Sequence, residues 1–108
     1  MPRAYIGVDV GTTSTRAGVF DEAGTLLATA RHPIRIWHEA GDIVEQSSAD
    51  IWNACVAAVR AAMAEAALPA AAVGGIGFDA TCSLVALDAA GEPLTVSQSG
   101  DPRRNVIV

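Results

Sequence analysis

The chain has 108 residues, 51% of them apolar and 18% charged, with a net charge of -5 and no lysine at all. So apolar a composition excludes a disordered tail, and so acidic a balance excludes a basic face that tracks nucleic-acid phosphates. A local phosphate site stays open, because main-chain N–H groups can supply the field that lysines would otherwise provide.

At this length the chain is one domain at most and can be less than one complete enzyme. Its two cysteines, Cys55 and Cys82, match no metal spacing and read as buried, reduced thiols. The most apolar stretch is cut by Arg60, Glu65 and Pro69, well short of the ~18 residues of a membrane span. Asp9 interrupts the place where the apolar region of a signal peptide would continue. The expected setting is cytoplasmic, with no membrane and no nucleic-acid partner.

Ala4 to Val10 is a short apolar run of the kind that forms a buried strand. Gly11, Thr12 and Thr13 break it. Ser14 to Phe20 resumes with β-formers and ends in the turn cluster Asp21 to Gly24. Thr25 to Arg31 is a third strand, so the opening predicts an antiparallel meander. His32 to Gln46 reads as irregular.

Ser47 then opens a helix, with Asp50 three residues on completing an approximate capping box. Ile51, Trp52, Cys55, Val56, Val59, Ala62, Met63 and Ala66 fall on one predicted core side, and Pro69 stops the helix. Val73 to Asp79 is a strand, its Gly75-Ile76-Gly77 pair a sign of tight packing. Leu84 to Asp88 follows, then a turn over residues 89–93. Leu94 to Val96 is placed to pair back, Ser97 to Arg104 reads as loop, and Asn105 to Val108 begins another strand. An end inside an apolar strand suggests a piece of a longer reading frame. The fold class is α/β, and a meander before the helix does not match the start of a dinucleotide-binding fold.

The most informative segment is Asp9-Val10-Gly11-Thr12-Thr13-Ser14-Thr15-Arg16. Gly11 allows a sharp bend and close approach of a ligand. Thr12, Thr13 and Ser14 offer three hydroxyls and successive N–H groups to phosphate oxygens. Asp9, at a strand end, is a hard carboxylate suited to Mg2+ through water. Arg16 can add a permanently charged donor or close an internal salt bridge. A P-loop is excluded for want of its lysine, and the dinucleotide fingerprint because a strand, not a helix, follows the turn. A hydroxyl-rich hairpin without a ligand is the plainer alternative.

Three blocks in order resemble the FGGY carbohydrate kinases, within the actin-like ATPase superfamily. They are Ile6 to Arg16, then Gly41-Asp42-Ile43-Val44-Glu45-Gln46 with the helix carrying Ile51-Trp52, then Ile76-Gly77-Phe78-Asp79-Ala80-Thr81-Cys82-Ser83. The third block, with the tail Arg104 to Val108, is similar to the ribulose-kinase-like branch. Ile43 stands where the family typically has tryptophan, and Ser47-Ser48 depart from its acidic residue and proline.

The resemblance implies a partial actin-like ATPase (ribonuclease H-like) domain, the whole of residues 1–108 forming the first part of a longer, two-domain kinase. It implies ATP and Mg2+ as cofactors, a sugar as substrate, and leaves room for a homodimer of the full-length protein. Asp9 would organise Mg2+, and Gly11, Thr12, Thr13 and Ser14 would touch the β- and γ-phosphates, with Arg16 in support. Asp79, Ala80, Thr81, Cys82 and Gln46 would line the sugar pocket.

Glu45 reads as a loop anchor, capping the Ser48 and Ala49 amides together with Gln46. Trp52 reads as core, and Trp37 stays open between core and sugar stacking. His32 and His38 read as surface residues, and Asp101, Arg103 and Arg104 as a solvated turn. The implied reaction moves the ATP γ-phosphoryl group to a sugar hydroxyl, D-ribulose first among the candidates. The base and the adenosine pocket would lie outside these residues, so the isolated chain is expected to be inactive. A non-kinase actin-like ATPase and an inert binding module are the competing readings.

Overall fold

The computed structural model describes residues 3–95 and 100–108. Strands β1 (Ala4–Val10), β2 (Ser14–Asp21) and β3 (Leu26–Pro33) form the predicted antiparallel meander. Helix α1 (Ser48–Ala66) then carries the chain across, and β6 (Val73–Ala80) returns parallel to β1 on its free side, giving the sheet order β3-β2-β1-β6. A parallel return needs such a crossover. The expected α/β class with a three-strand opening is what forms.

Alternation explains the layering. Ala4, Ile6 and Val8 of β1 and Thr15, Ala17 and Val19 of β2 point to the helix and are buried. Gly7, Asp9, Arg16 and Gly18 occupy the intervening positions and hence the opposite face. The helix presents Ala54, Cys55, Ala58 and Ala62 to the sheet. These small side chains let its backbone lie close to β2 and β3.

That contact line is rotated from the predicted one. Trp52 was expected in the core and is instead 61% exposed. The helix sits mainly over β2 and β3, so the side carrying Trp52 overhangs β6, where Ile76 and Phe78 are also exposed. Helical spacing identifies an apolar side but cannot say which part of it meets the sheet.

The helix start is as predicted in one half only. Ser47 Oγ accepts from Asp50 N at 3.2 Å, but the Asp50 carboxylate accepts from Arg35 N at 2.8 Å instead of reaching back to Ser47. At the other end Ala67 takes a left-handed conformation (φ 56°), its N–H donating to Ala64 O.

The stretch read as irregular holds a hairpin, β4 (Trp37–Ala40) and β5 (Ile43–Gln46), turning at Gly41 with φ 56°. Strands of four residues with a register shift carry too little alternation to be read from sequence. With β7 (Leu84–Val85) and β8 (Val106–Ile107) they form a second sheet, ordered β4-β5-β8-β7. The expected strand over Leu84 to Asp88 shrinks to two residues. Leu94 does pair back, through its N–H to Ala86 O at 3.1 Å, while Val96 to Ser99 lie outside the described residues. The turns at Asp21 and Asp88 share one device: the Asp Oδ1 accepts two main-chain N–H groups, and the glycine three residues on takes a positive φ.

The open question of Trp37 resolves into a stack. The guanidinium groups of Arg35 and Arg104 both lie over its ring, each 4.8 Å from the centroid. Arg104 is therefore not part of a solvated turn, although Asp101 and Arg103 do pair at 2.8 Å. His32 is at the surface as read, though within β3 and not in a loop, and Cys82, read as buried, is exposed.

Candidate functional site

The segment after β1 bends because Gly11 N donates to Ser14 O at 2.9 Å. A Cβ on Gly11 would lie 3.0 Å from that same oxygen, a tight contact that glycine avoids. Two further bonds hold the bend from behind. Ile34 N donates to Thr13 O at 2.9 Å, and Gln46 Nε2 donates to Thr12 O at 2.7 Å. Among the described residues no protein acceptor takes the N–H of Thr12 or Thr13, and Thr13 is exposed. The result is a short arc of unclaimed donors.

On the sheet face away from the helix, a cleft of about 560 Å3 is bordered by Asp9, Arg16, Gly18, Phe20 and Asp79. Asp9 pairs with Arg16 across the antiparallel ladder, Oδ2 to guanidinium, at 3.1 Å. The Asp9 side chain is 46% exposed, so this bridge contributes little stability and leaves the carboxylate open to the cleft. Asp79 stands beside Asp9 in the parallel register. A hydrogen bond to Asp9 holds the Asp79 carboxyl above its ordinary pKa, burial and the charge of Asp9 add to this, and Arg16 opposes it.

On the helix side, a second groove of about 430 Å3 is lined by Gln46, Ser48, Trp52, Phe78, Thr81 and Ser83, with Val10 and Ala80 at its floor. Thr81 Oγ1 and Ser83 Oγ lie 3.3 Å apart, and Thr81 N donates to Val10 O at 3.2 Å. The chain passes from Asp9 in one groove to Val10 in the other and directly into the bend.

The sequence-predicted residues are thus divided between the two grooves, Asp79 and Ala80 by strand alternation and Thr81 from beyond the end of β6. Asp79 joins Asp9 and Arg16, not the other members of its block. Ala80 and Thr81 join Gln46. Cys82 is exposed and lines neither groove. Gln46 is 1% exposed and serves the bend as well as the groove wall. The Ser48 amide is taken by Asn105 Oδ1 at 3.0 Å, not by Glu45 or Gln46. Glu45 is buried, in keeping with its reading as an anchor.

Sequence reasoning missed two supports. One is the Ile34 amide. The other is Asn105, whose Nδ2 donates to Ser48 Oγ at 2.9 Å and Ala86 O at 3.2 Å. Both act across long sequence separations, and no local pattern marks them.

The donor set fits an anionic, metal-bearing ligand: hard oxygen atoms at Asp9 beside an arc of N–H and hydroxyl groups. Residues 4–106 match the N-terminal domain of the FGGY family of carbohydrate kinases. The chain belongs to this family. It is 49% identical over 106 residues to an FGGY carbohydrate kinase domain-containing protein of Homo sapiens, covering 98% of this chain and 19% of that one. It is 47% identical over 85 residues to a D-ribulokinase of Saccharomyces cerevisiae, covering 79% of this chain and 12% of the relative. A xylulose kinase from Rhodospirillum rubrum has the same fold (TM-score 0.79, 27% identity), covering 97% of this chain and 20% of that one. The FGGY membership accounts for the actin-like ATPase fold of the β3-β2-β1-β6 sheet. The chain spans about a fifth of the first of these relatives. No helix among the described residues is long and apolar enough to cross a membrane.

Proposed function

We propose that this chain supplies the phosphate-binding bend and part of the sugar pocket of an ATP-dependent kinase acting on a ketopentose, D-ribulose first. The observation that carries the reading is the bend itself. Its carbonyls are tied back at Thr12 and Thr13 while the N–H groups of the same residues are unclaimed, beside an exposed Asp9 carboxylate.

In this reading Gly11, Thr12, Thr13 and Ser14 receive the β- and γ-phosphates through main-chain N–H groups and hydroxyls. Arg16 orients the Asp9 carboxylate and offsets part of its charge. Asp9 would hold magnesium, and Asp79 would reinforce it from the neighbouring strand. The ion, when bound, supplies positive charge against the phosphate oxygens. Ala80 and Thr81 form the sugar wall with Gln46, where Thr81 and Ser83 offer hydroxyls to a polyol and Ala80 leaves room for a five-carbon chain; Cys82, outside the groove, is left out of that wall. Identity with a D-ribulokinase supports ribulose over other sugars. A reducing, cytoplasmic setting accords with the free thiols of Cys55 and Cys82.

Catalysis also needs a base near the acceptor hydroxyl and exclusion of water by closure. No residue of this chain is assigned as that base, and the purified 108 residues are proposed to have no turnover. Calorimetric titration of the chain with Mg-ADP and, separately, with D-ribulose tests the reading. Binding of both supports it. Nucleotide binding without sugar binding would reduce it to a general phosphate module, and binding of neither would leave an inert domain.

A further inference from the structure

The bend is held by two bonds to its carbonyls, and only one of them comes from a side chain. That side chain is Gln46, at the end of β5, 34 residues further along. It is nearly inaccessible to solvent, and its Nε2 lies 2.7 Å from Thr12 O.

Thr12 O and Thr13 N belong to one peptide unit. That unit is planar and trans, so its C=O and N–H point in opposite directions. A donor that draws Thr12 O toward β5 therefore aims the Thr13 N–H the other way, toward the open side of the bend. Ile34 N does the same for the next unit by holding Thr13 O. The Ile34 donor is main chain, and short of proline no change of side chain removes it. The orientation of the Thr12–Thr13 unit depends on Gln46.

We propose that Gln46 is a positioning residue that sets the Thr13 N–H toward phosphate by holding the Thr12 carbonyl, and that anion affinity at the bend depends on its donor. The proposal rests on the phosphate reading of the bend. It differs from the role of sugar contact, because the bonded atom of Gln46 is turned to the bend and not to the groove.

Gln46→Glu keeps the size of the side chain but replaces the donor by an acceptor that repels Thr12 O. Gln46→Leu keeps burial without either. The probe is Mg-pyrophosphate, followed through the amide resonances of Thr12, Thr13 and Ser14 in the whole chain. The wild-type amides are expected to shift on titration. Both variants should bind about tenfold more weakly, as loss of one well-placed donor predicts.

Wild-type amides that ignore Mg-pyrophosphate would end the phosphate reading and this proposal with it. Equal pyrophosphate affinity in wild type and folded Gln46→Glu would overturn the positioning role alone. So would a loss confined to D-ribulose. Should a variant lose its fold, the wild-type Gln46 carboxamide protons decide. Slow exchange, with a shift that titrates in step with the Thr13 amide, supports the proposal. Resonances that stay unmoved while Thr13 shifts overturn it.

Discussion

Asp9 and Asp79 occupy matching positions on neighbouring parallel strands, with Arg16 opposite Asp9 on the other side. Two carboxylates so placed repel unless a proton or a cation lies between them. Asp79 shows this as a carboxyl held above its ordinary pKa, chiefly through its hydrogen bond to Asp9. Asp79→Asn retains the shape and removes one negative charge. The expected result is Mg2+ affinity roughly tenfold weaker, the order set by one unit charge near a dication in a solvated site, with an unchanged or higher Tm. Titration with Mn2+ by electron paramagnetic resonance measures it; unchanged affinity would remove Asp79 from the metal end.

Asn105 ties the start of the helix to β7 and β8 through three hydrogen bonds, and it is fully buried. Asn105→Leu leaves Ser48 N and Ala86 O without that partner. Urea denaturation should show a loss of about 2–3 kcal/mol, the penalty for such stranded groups. Asn105→Asp, which keeps the acceptor only, should fall between the two.

Ala67 ends the helix with a positive φ that alanine disfavours. Glycine adopts it without a Cβ clash, at some cost from a freer unfolded chain. Ala67→Gly is expected to stabilise by about 0.5–1 kcal/mol, seen as a higher denaturant midpoint at constant slope. A lower midpoint would show that the contacts of the Ala67 methyl outweigh the strain.

The Asp101 carboxyl is lowered to about 2 from 3.8, first by its hydrogen bond to the Arg103 side chain and then by the Arg103 main-chain N–H. The folded value lies below the unfolded one. Its contribution is therefore complete above about pH 4 and is lost as the pH falls through about 2. Arg103 is largely exposed, so solvent screens the pair and its effect on stability is small. Carbon-detected NMR titration should place the Asp101 midpoint near 2 in the wild type, and nearer the ordinary aspartate value in Arg103→Ala.

The local signals were strong where one element decided the outcome. The apolar run of β1, the Ser47 cap, the glycine at the bend and the Asp-x-x-Gly turns can all be read from a few consecutive residues. Each depends on interactions within about four positions. The weak readings were those that needed a partner. Trp52 lies on an apolar side of α1, yet only the seat of the helix over β2 and β3 leaves it exposed. Trp37 gains its stack from Arg104, 67 positions away in the loop that leads into β8.

The sequence alone determined the meander, the helix, the bend and the family resemblance, because these rest on periodicity, turn chemistry and short motifs. The tertiary structure decided how the site is divided. Pairing of β6 with β1 places Asp79 with Asp9 and sends Ala80 to the other side, since successive residues of a strand face opposite ways, while Thr81, past the end of β6, also lines that second groove. It also brought Gln46 to Thr12 and Asn105 to Ser48. Such bonds join residues that only the closed chain makes neighbours, and no spacing along the sequence encodes them.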